Sequence, residues 1–141
     1  MKADRVFETV LYAKDLSAAE RFYEDILGME VIQKSELFLT FRMSRSVLLI
    51  FDPALSAESG RSVPSHGMRG EGHIAFASTD EEIDAWKTHL EQAGVEIEQI
   101  KNWDEGGRSL YIRDPAGNSV EFAPGTLWGG RWDFSQTPHQ D

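Results

Sequence analysis

Apolar and polar positions along the 141-residue chain alternate in short runs, interrupted by two longer stretches with helical spacing. The stretch from Glu8 to Asp15 lies over the stretch from His73 to Asp80 at an offset of 65, each a short alternating strand running into an acidic helix start. The helix patterns follow: Ala19, Phe22, Tyr23, Ile26 and Leu27 in the first copy, and Ile83, Trp86 and Leu90 in the second. Ser17 with Glu20 and Thr79 with Glu82 have the spacing of a capping box, while Gly28 and Gly94 stand where a helix ends in a left-handed residue. The offset then grows to 71, placing Leu37–Arg42 over Arg108–Arg113 and Leu49–Pro53 over Val120–Pro124. Each copy reads strand, helix and three strands, with the second strands weakest, near Val31 and near Ile97.

The pattern predicts one α+β domain of two tandem βαβββ modules: module one over 4–53, a Ser-, Gly- and Arg-rich linker over 54–70, module two over 71–124 and a tail over 125–141. Trp128, Trp132 and Phe134 in the tail suggest that it packs on something. Composition narrows the function. There is no cysteine, which excludes disulfides and thiol chemistry and leaves His, Asp, Glu, backbone oxygen or water for any metal. A formal charge of −10 disfavours nucleic acid and anionic membrane surfaces as partners. No stretch is long and apolar enough to span a bilayer, and Met1 to Asp4 do not open a secretory signal, so the expected location is the cytoplasm.

Strand alternation sorts the remaining residues. If the apolar set meets the helices, it comprises Phe7, Leu11, Ile74 and Phe76 in the first strands, Leu49, Phe51, Val120 and Phe122 in the last, and Leu39, Phe41, Leu110 and Ile112 in the hairpins. Glu8, His73, Glu121 and Ile50 then fall on the opposite face, with Thr40, Arg42, Tyr111 and Arg113. Three of four pseudo-symmetric positions are ligand types. One imidazole and two carboxylates offer a divalent ion nitrogen and hard oxygen donors and leave coordination positions open, as catalytic sites require. The competing reading makes Glu8 the start of an exposed strand, His73 a satisfied core histidine and Glu121 the partner of an arginine such as Arg42.

At these residues the sequence resembles the vicinal oxygen chelate superfamily, which includes glyoxalase I, bleomycin resistance proteins, fosfomycin resistance enzymes, methylmalonyl-CoA epimerase and extradiol dioxygenases. The resemblance runs from Phe7 to Pro124. It rests on the stretch Leu11 to Leu16, on Arg21-Phe22-Tyr23 and Leu27-Gly28-Met29, on Gly72 to Phe76, and on Asp114 to Asn118 ahead of Val120-Glu121-Phe122. It implies a cupped mixed sheet around a central cavity, helices on the convex face, and a metal held from the first and last strands, positions that fall here on Glu8, His73 and Glu121. It also implies a homodimer, sometimes formed by exchanging modules. Ile50 stands where glyoxalase I has its remaining ligand, and Glu8 where extradiol dioxygenases have a histidine.

Further candidates are Arg42 as a clamp for a substrate carboxylate, Tyr111 as a substrate contact and Trp103 at the cavity edge or a dimer contact. His66, just ahead of the His73 strand, is a candidate proton shuttle, and Glu121 a candidate catalytic carboxylate. His89 and His139 read as solvated, and Trp86 as core. Two functions are expected. In the first, a divalent ion (Zn, Ni, Mn or Fe) binds two oxygens of a small-molecule substrate for isomerase, lyase or addition chemistry. In the second, the acidic cup sequesters a cationic compound without metal, as bleomycin resistance proteins do.

Overall fold

The computed structural model describes residues 1–129, so Trp132, Phe134 and His139 lie outside the described residues. The chain divides into two compact units, the first formed by Met1–Gly72 with Pro115–Gly117 and the second by His73–Asp114 with Asn118 onward. In the first unit, β1 (Glu8–Tyr12) is followed by α1 (Leu16–Glu20), β2 (Glu30–Lys34), β3 (Phe38–Arg42), β4 (Val47–Phe51) and a single turn, α2 (Pro53–Ser56). The second unit holds β5 (His73–Ala77), α3 (Asp80–Gln92), β6 (Gln99–Asn102), β7 (Arg108–Arg113) and β8 (Ser119–Ala123), then a 3-10 turn over Gly125–Trp128. Each unit is a four-stranded mixed sheet with the same strand order, β1-β4-β3-β2 and β5-β8-β7-β6, so the α+β reading with two βαβββ modules holds.

In each sheet the first strand runs parallel to the last, and the other pairs are antiparallel. Leu11, Leu39, Phe41, Leu48 and Ile50 form the buried face of the first sheet with Ala19, Phe22 and Tyr23. Ile74, Leu110, Ile112, Val120 and Phe122 do the same in the second with Ile83 and Leu90, and Trp86 stacks on Phe122 at 4.3 Å. Trp128 is 77% exposed.

The helix starts differ from expectation in one copy. Thr79 and Glu82 form the reciprocal capping box, with Thr79 N–H donating to Glu82 Oε2 at 2.8 Å. Ser17 and Glu20 do not: Asp15 caps α1 by accepting from Ala18 N–H, and Glu20 takes an ion pair with Lys34 at 2.9 Å. Beyond Glu20 the helix widens into a π-helical turn, Arg21–Ile26, closed by Leu27 N–H donating to Phe22 O at 3.0 Å. The sixth strand begins at Gln99, two residues beyond the expected Ile97.

A second difference concerns register. Leu11 and Leu39 both pair with Ile50, so the three side chains share the helix face, and Ile50 is fully buried there. Leu49 pairs with Val10 and Thr40 and therefore lies on the Glu8 face, with Phe51 beside Tyr12. The expected faces of β4 are thus reversed. The β3–β4 connection spans residues 43–46, whereas the β7–β8 connection spans 114–118, one residue longer, and this shifts the correspondence of the last strands by one. The counterpart of Glu121 in the first unit is Leu49, and Ile50 faces the core. Phe7, also expected against the helices, is 70% exposed ahead of β1.

Candidate functional site

In the second unit, β5, β7 and β8 bring His73, Ser119, Tyr111 and Glu121 onto one sheet face. Val120 and Phe122 bury themselves against the helix, which turns Glu121 between them to the other side, where it is only 6% exposed. Two neighbours fix its carboxylate. Tyr111, its direct cross-strand partner, donates its hydroxyl to Oε1 at 2.7 Å, and His73 Nε2 lies 3.2 Å from Oε2. Burial in the first place, and the bond to Glu121 in the second, push the Tyr111 hydroxyl up to about 12.

The other nitrogen of His73 is held from behind. Nδ1 lies 3.1 Å from the Ser119 carbonyl oxygen and 3.1 Å from Ser119 Oγ. A carbonyl only accepts, so Nδ1 carries the proton and the lone pair of a neutral ring is on Nε2. Nε2 and the Glu121 oxygen are then two acceptors facing each other at 3.2 Å, an arrangement that calls for a cation or a proton between them. This donor set, with the ring oriented from its far nitrogen, suits a divalent metal ion. Sequence reasoning missed Ser119. Its signal was available: Ser119 pairs with His73 and lies two residues before Glu121 on the same face.

The remaining expected site residues belong to both units. Glu8 opens β1 in the first unit and is exposed. Among the described residues, no group of three or more His, Asp or Glu side chains is gathered about one metal position. Arg42, on the Glu8 face of the first sheet, is paired with Glu30 at 2.8 Å, rather than with Glu8 or Glu121. Arg113 makes the equivalent pair with Glu98 at 2.8 Å, and that bond holds the Glu98 carboxyl below its ordinary range. Trp103 sits in the β6–β7 connection, its indole N–H donating to Ser109 Oγ at 2.8 Å and Lys101 Nζ over its ring. His66 lies in the first unit, its Nδ1 2.7 Å from the Tyr12 hydroxyl and its ring edge-on to Phe51. His89 is exposed on α3, with its ring edge-on to Trp86.

Two βαβββ sheets, the second with a histidine at the start of its first strand and a carboxylate within its last, define a class, and the chain belongs to it: the Glyoxalase/Bleomycin resistance protein/Dioxygenase superfamily, whose family model matches residues 5–122. Among its relatives is the fosfomycin resistance protein FosX of Listeria monocytogenes, 32% identical, with 83% of this chain and 86% of that one covered. The metallothiol transferase FosB of Lysinibacillus sphaericus is 28% identical, with 90% and 86% covered. A crystal structure of lactoylglutathione lyase from Agrobacterium tumefaciens superposes with a TM-score of 0.86 at 43% identity, covering 92% of this chain and 99% of that one. No helix among the described residues is long and apolar enough to cross a membrane.

Proposed function

We propose that the protein is a divalent-metal-dependent enzyme acting on a small substrate that presents two neighbouring oxygens, with Glu8, His73 and Glu121 as the metal's protein ligands. The observation that carries this reading is the approach of His73 Nε2 to Glu121 Oε2, two acceptors at 3.2 Å with the imidazole proton held on the opposite nitrogen by Ser119. The names of the relatives support it: a metallothiol transferase, a fosfomycin resistance protein and a lactoylglutathione lyase are all proteins of small-molecule chemistry. When bound, the ion supplies Lewis-acid polarisation of a substrate oxygen, which favours isomerase, lyase or addition chemistry.

The chain's own residues do the rest. Ser119 sets the tautomer and orientation of His73. Tyr111 donates to one oxygen of Glu121, so that carboxylate can present the other oxygen without losing its orientation. A substrate proton taken by Glu121 would go to Oε2, because Oε1 already accepts from the Tyr111 hydroxyl, which stays protonated at neutral pH. Arg42, on the same face of its sheet as Glu8, releases an exposed Glu30 partner to meet a substrate carboxylate. The working form is a homodimer in the cytoplasm.

A second reading has one observation in its favour: with no third ligand gathered beside His73 and Glu121 among the described residues, the pair can hold a proton instead, and the protein then binds a cationic compound without chemistry. Elemental analysis of protein purified without affinity nickel or chelator separates the two. The enzyme reading expects stoichiometric Zn, Ni, Mn or Fe in the wild type and its loss in Glu121→Ala and His73→Ala. Absence of metal in the wild type, even after incubation with each of these ions, refutes it.

A further inference from the structure

The segment between the modules is a built element of the first unit. Its Arg61 Nη1 donates to Ser56 O at 2.7 Å while the guanidinium lies over the Phe51 ring. The Ser65 hydroxyl donates to Glu58 O, and His66 N–H donates to Ser56 O at 3.1 Å. Gly67 is pressed so closely against α2 that a Cβ there would meet Pro53 O at 3.1 Å and Ala57 Cβ at 3.2 Å. Together with the end of β1 and α2, this segment encloses a cavity of about 1140 Å³.

The chemistry of the cavity wall is specific. His66 and Tyr12 line it and share the 2.7 Å bond at Nδ1, while Nε2 has no hydrogen-bond partner among the described residues. When Tyr12 donates, the neutral ring carries its proton on Nε2 and offers it to an acceptor. Lys14 and Arg69 also line the cavity, and neither has an ion-pair or hydrogen-bond partner among the described residues. The two wall carboxylates are engaged: Asp15 caps α1, and Glu71 lies against Gly117, where an added Cβ would meet its Oε1 at 3.3 Å. Most of the remaining wall is apolar, and it includes Met68, which is 41% exposed. In a chain of net charge −10, two uncompensated cations and a held imidazole on one cavity wall mark a place for negative charge.

We propose that this cavity is a second binding site, separate from the metal ligands, for an organic acid: a carboxylate met by Lys14, Arg69 and His66, with an apolar body against Met68 and Pro53. Tyr12 stands four residues along β1 from Glu8, about 13 Å at the rise of a strand, so the site does not need Glu8 to be liganded.

The test uses the full chain in excess EDTA, so that it is independent of the metal reading. 2-Naphthoate and its neutral analogue 2-naphthamide are titrated by calorimetry, and binding is located with ¹³C-methyl-methionine labelling, the Met68 resonance being assigned from Met68→Leu. The expected result is that 2-naphthoate binds and shifts the Met68 methyl signal. The Lys14→Gln/Arg69→Gln double variant, altered only at exposed side chains, should bind naphthoate about tenfold more weakly and naphthamide unchanged. No Met68 shift up to millimolar naphthoate, or equal naphthoate affinity in the double variant, overturns the proposal.

Discussion

Substituting Leu49 and Ile50 in turn tests the one-residue shift in the last strand of the first unit. Ile50 has no exposed surface and packs beside Leu11 and Leu39, whereas its neighbour Leu49 is half-buried on the Glu8 face. Ile50→Ala removes three carbons from a close-packed core and leaves a cavity, a change that costs about 2–5 kcal/mol. Leu49→Ala gives up only part of a side chain's burial, about 1 kcal/mol. With a urea m-value of about 2 kcal/mol/M, the Ile50 variant should unfold about 1–2.5 M earlier than wild type and the Leu49 variant about 0.5 M earlier. Glutamate sharpens the contrast. At position 50 it strands a carboxylate in the core at a cost of several kcal/mol, enough to abolish a cooperative transition, while at position 49 it reaches solvent beside Glu8. Equal midpoints for the two alanine variants, or a cooperatively folding Ile50→Glu, would refute the register and restore Ile50 as the counterpart of Glu121.

Three further outcomes follow from the second unit. Ser119→Ala removes the hydroxyl but keeps the backbone carbonyl that accepts from His73 Nδ1, so affinity for the divalent ion should fall by less than about 10-fold by competitive chelator titration with the thermal midpoint little changed; a fall of about 100-fold would show that the hydroxyl, and not the carbonyl, orients the ring. The Tyr111 hydroxyl has its folded value raised to about 12, so the folded state holds that proton through a window in which the unfolded chain has lost it, and stability should fall as pH rises from about 10 through about 12. Tyr111→Phe should flatten that alkaline limb in denaturation curves, and an unaltered limb would assign it to other groups. Asp114 is buried, accepting from Asn118 N–H at 2.8 Å and Asn118 Nδ2 at 2.9 Å, so Asp114→Ala should cost about 1–3 kcal/mol in urea denaturation by removing the acceptor of these two bonds. A loss below about 0.5 kcal/mol would show that the turn does not depend on it.

What the sequence made legible depended on whether a local pattern carried phase. Val120 and Phe122 flank a lone carboxylate, so alternation alone turns Glu121 away from the helix and towards Tyr111. The run Val47-Leu48-Leu49-Ile50-Phe51 is apolar at every position, and alternation there has no phase to read, so a longer hairpin in the other copy was enough to misplace Ile50. Asp15 and Ser17 are both good caps within two residues, and only the backbone path decides that Asp15 is used. The linker looked like a simple joint because its order comes from backbone carbonyls accepting from Arg61, Ser65 and His66, bonds that leave no periodicity in the residues themselves. Ser119 was passed over for a related reason: its role is visible only once β5 is laid in register against β8.

The widened turn over Arg21–Ile26 has a consequence for how this chain tolerates change in length. In a regular helix consecutive residues point about 100° apart, and here Phe22 and Tyr23 are both buried, with Tyr23 meeting Phe41 on the helix-facing side of the sheet. The extra residue in the loop of backbone lets two adjacent rings share one side. Deleting one residue there would remove the wide turn closed between Leu27 N–H and Phe22 O, whereas an exchange of exposed Glu24 or Asp25 for another polar residue leaves the coil alone. The exposed positions of this helix should therefore accept substitutions more readily than its length accepts change, so that length is a constraint alongside the buried Ala19, Phe22 and Tyr23.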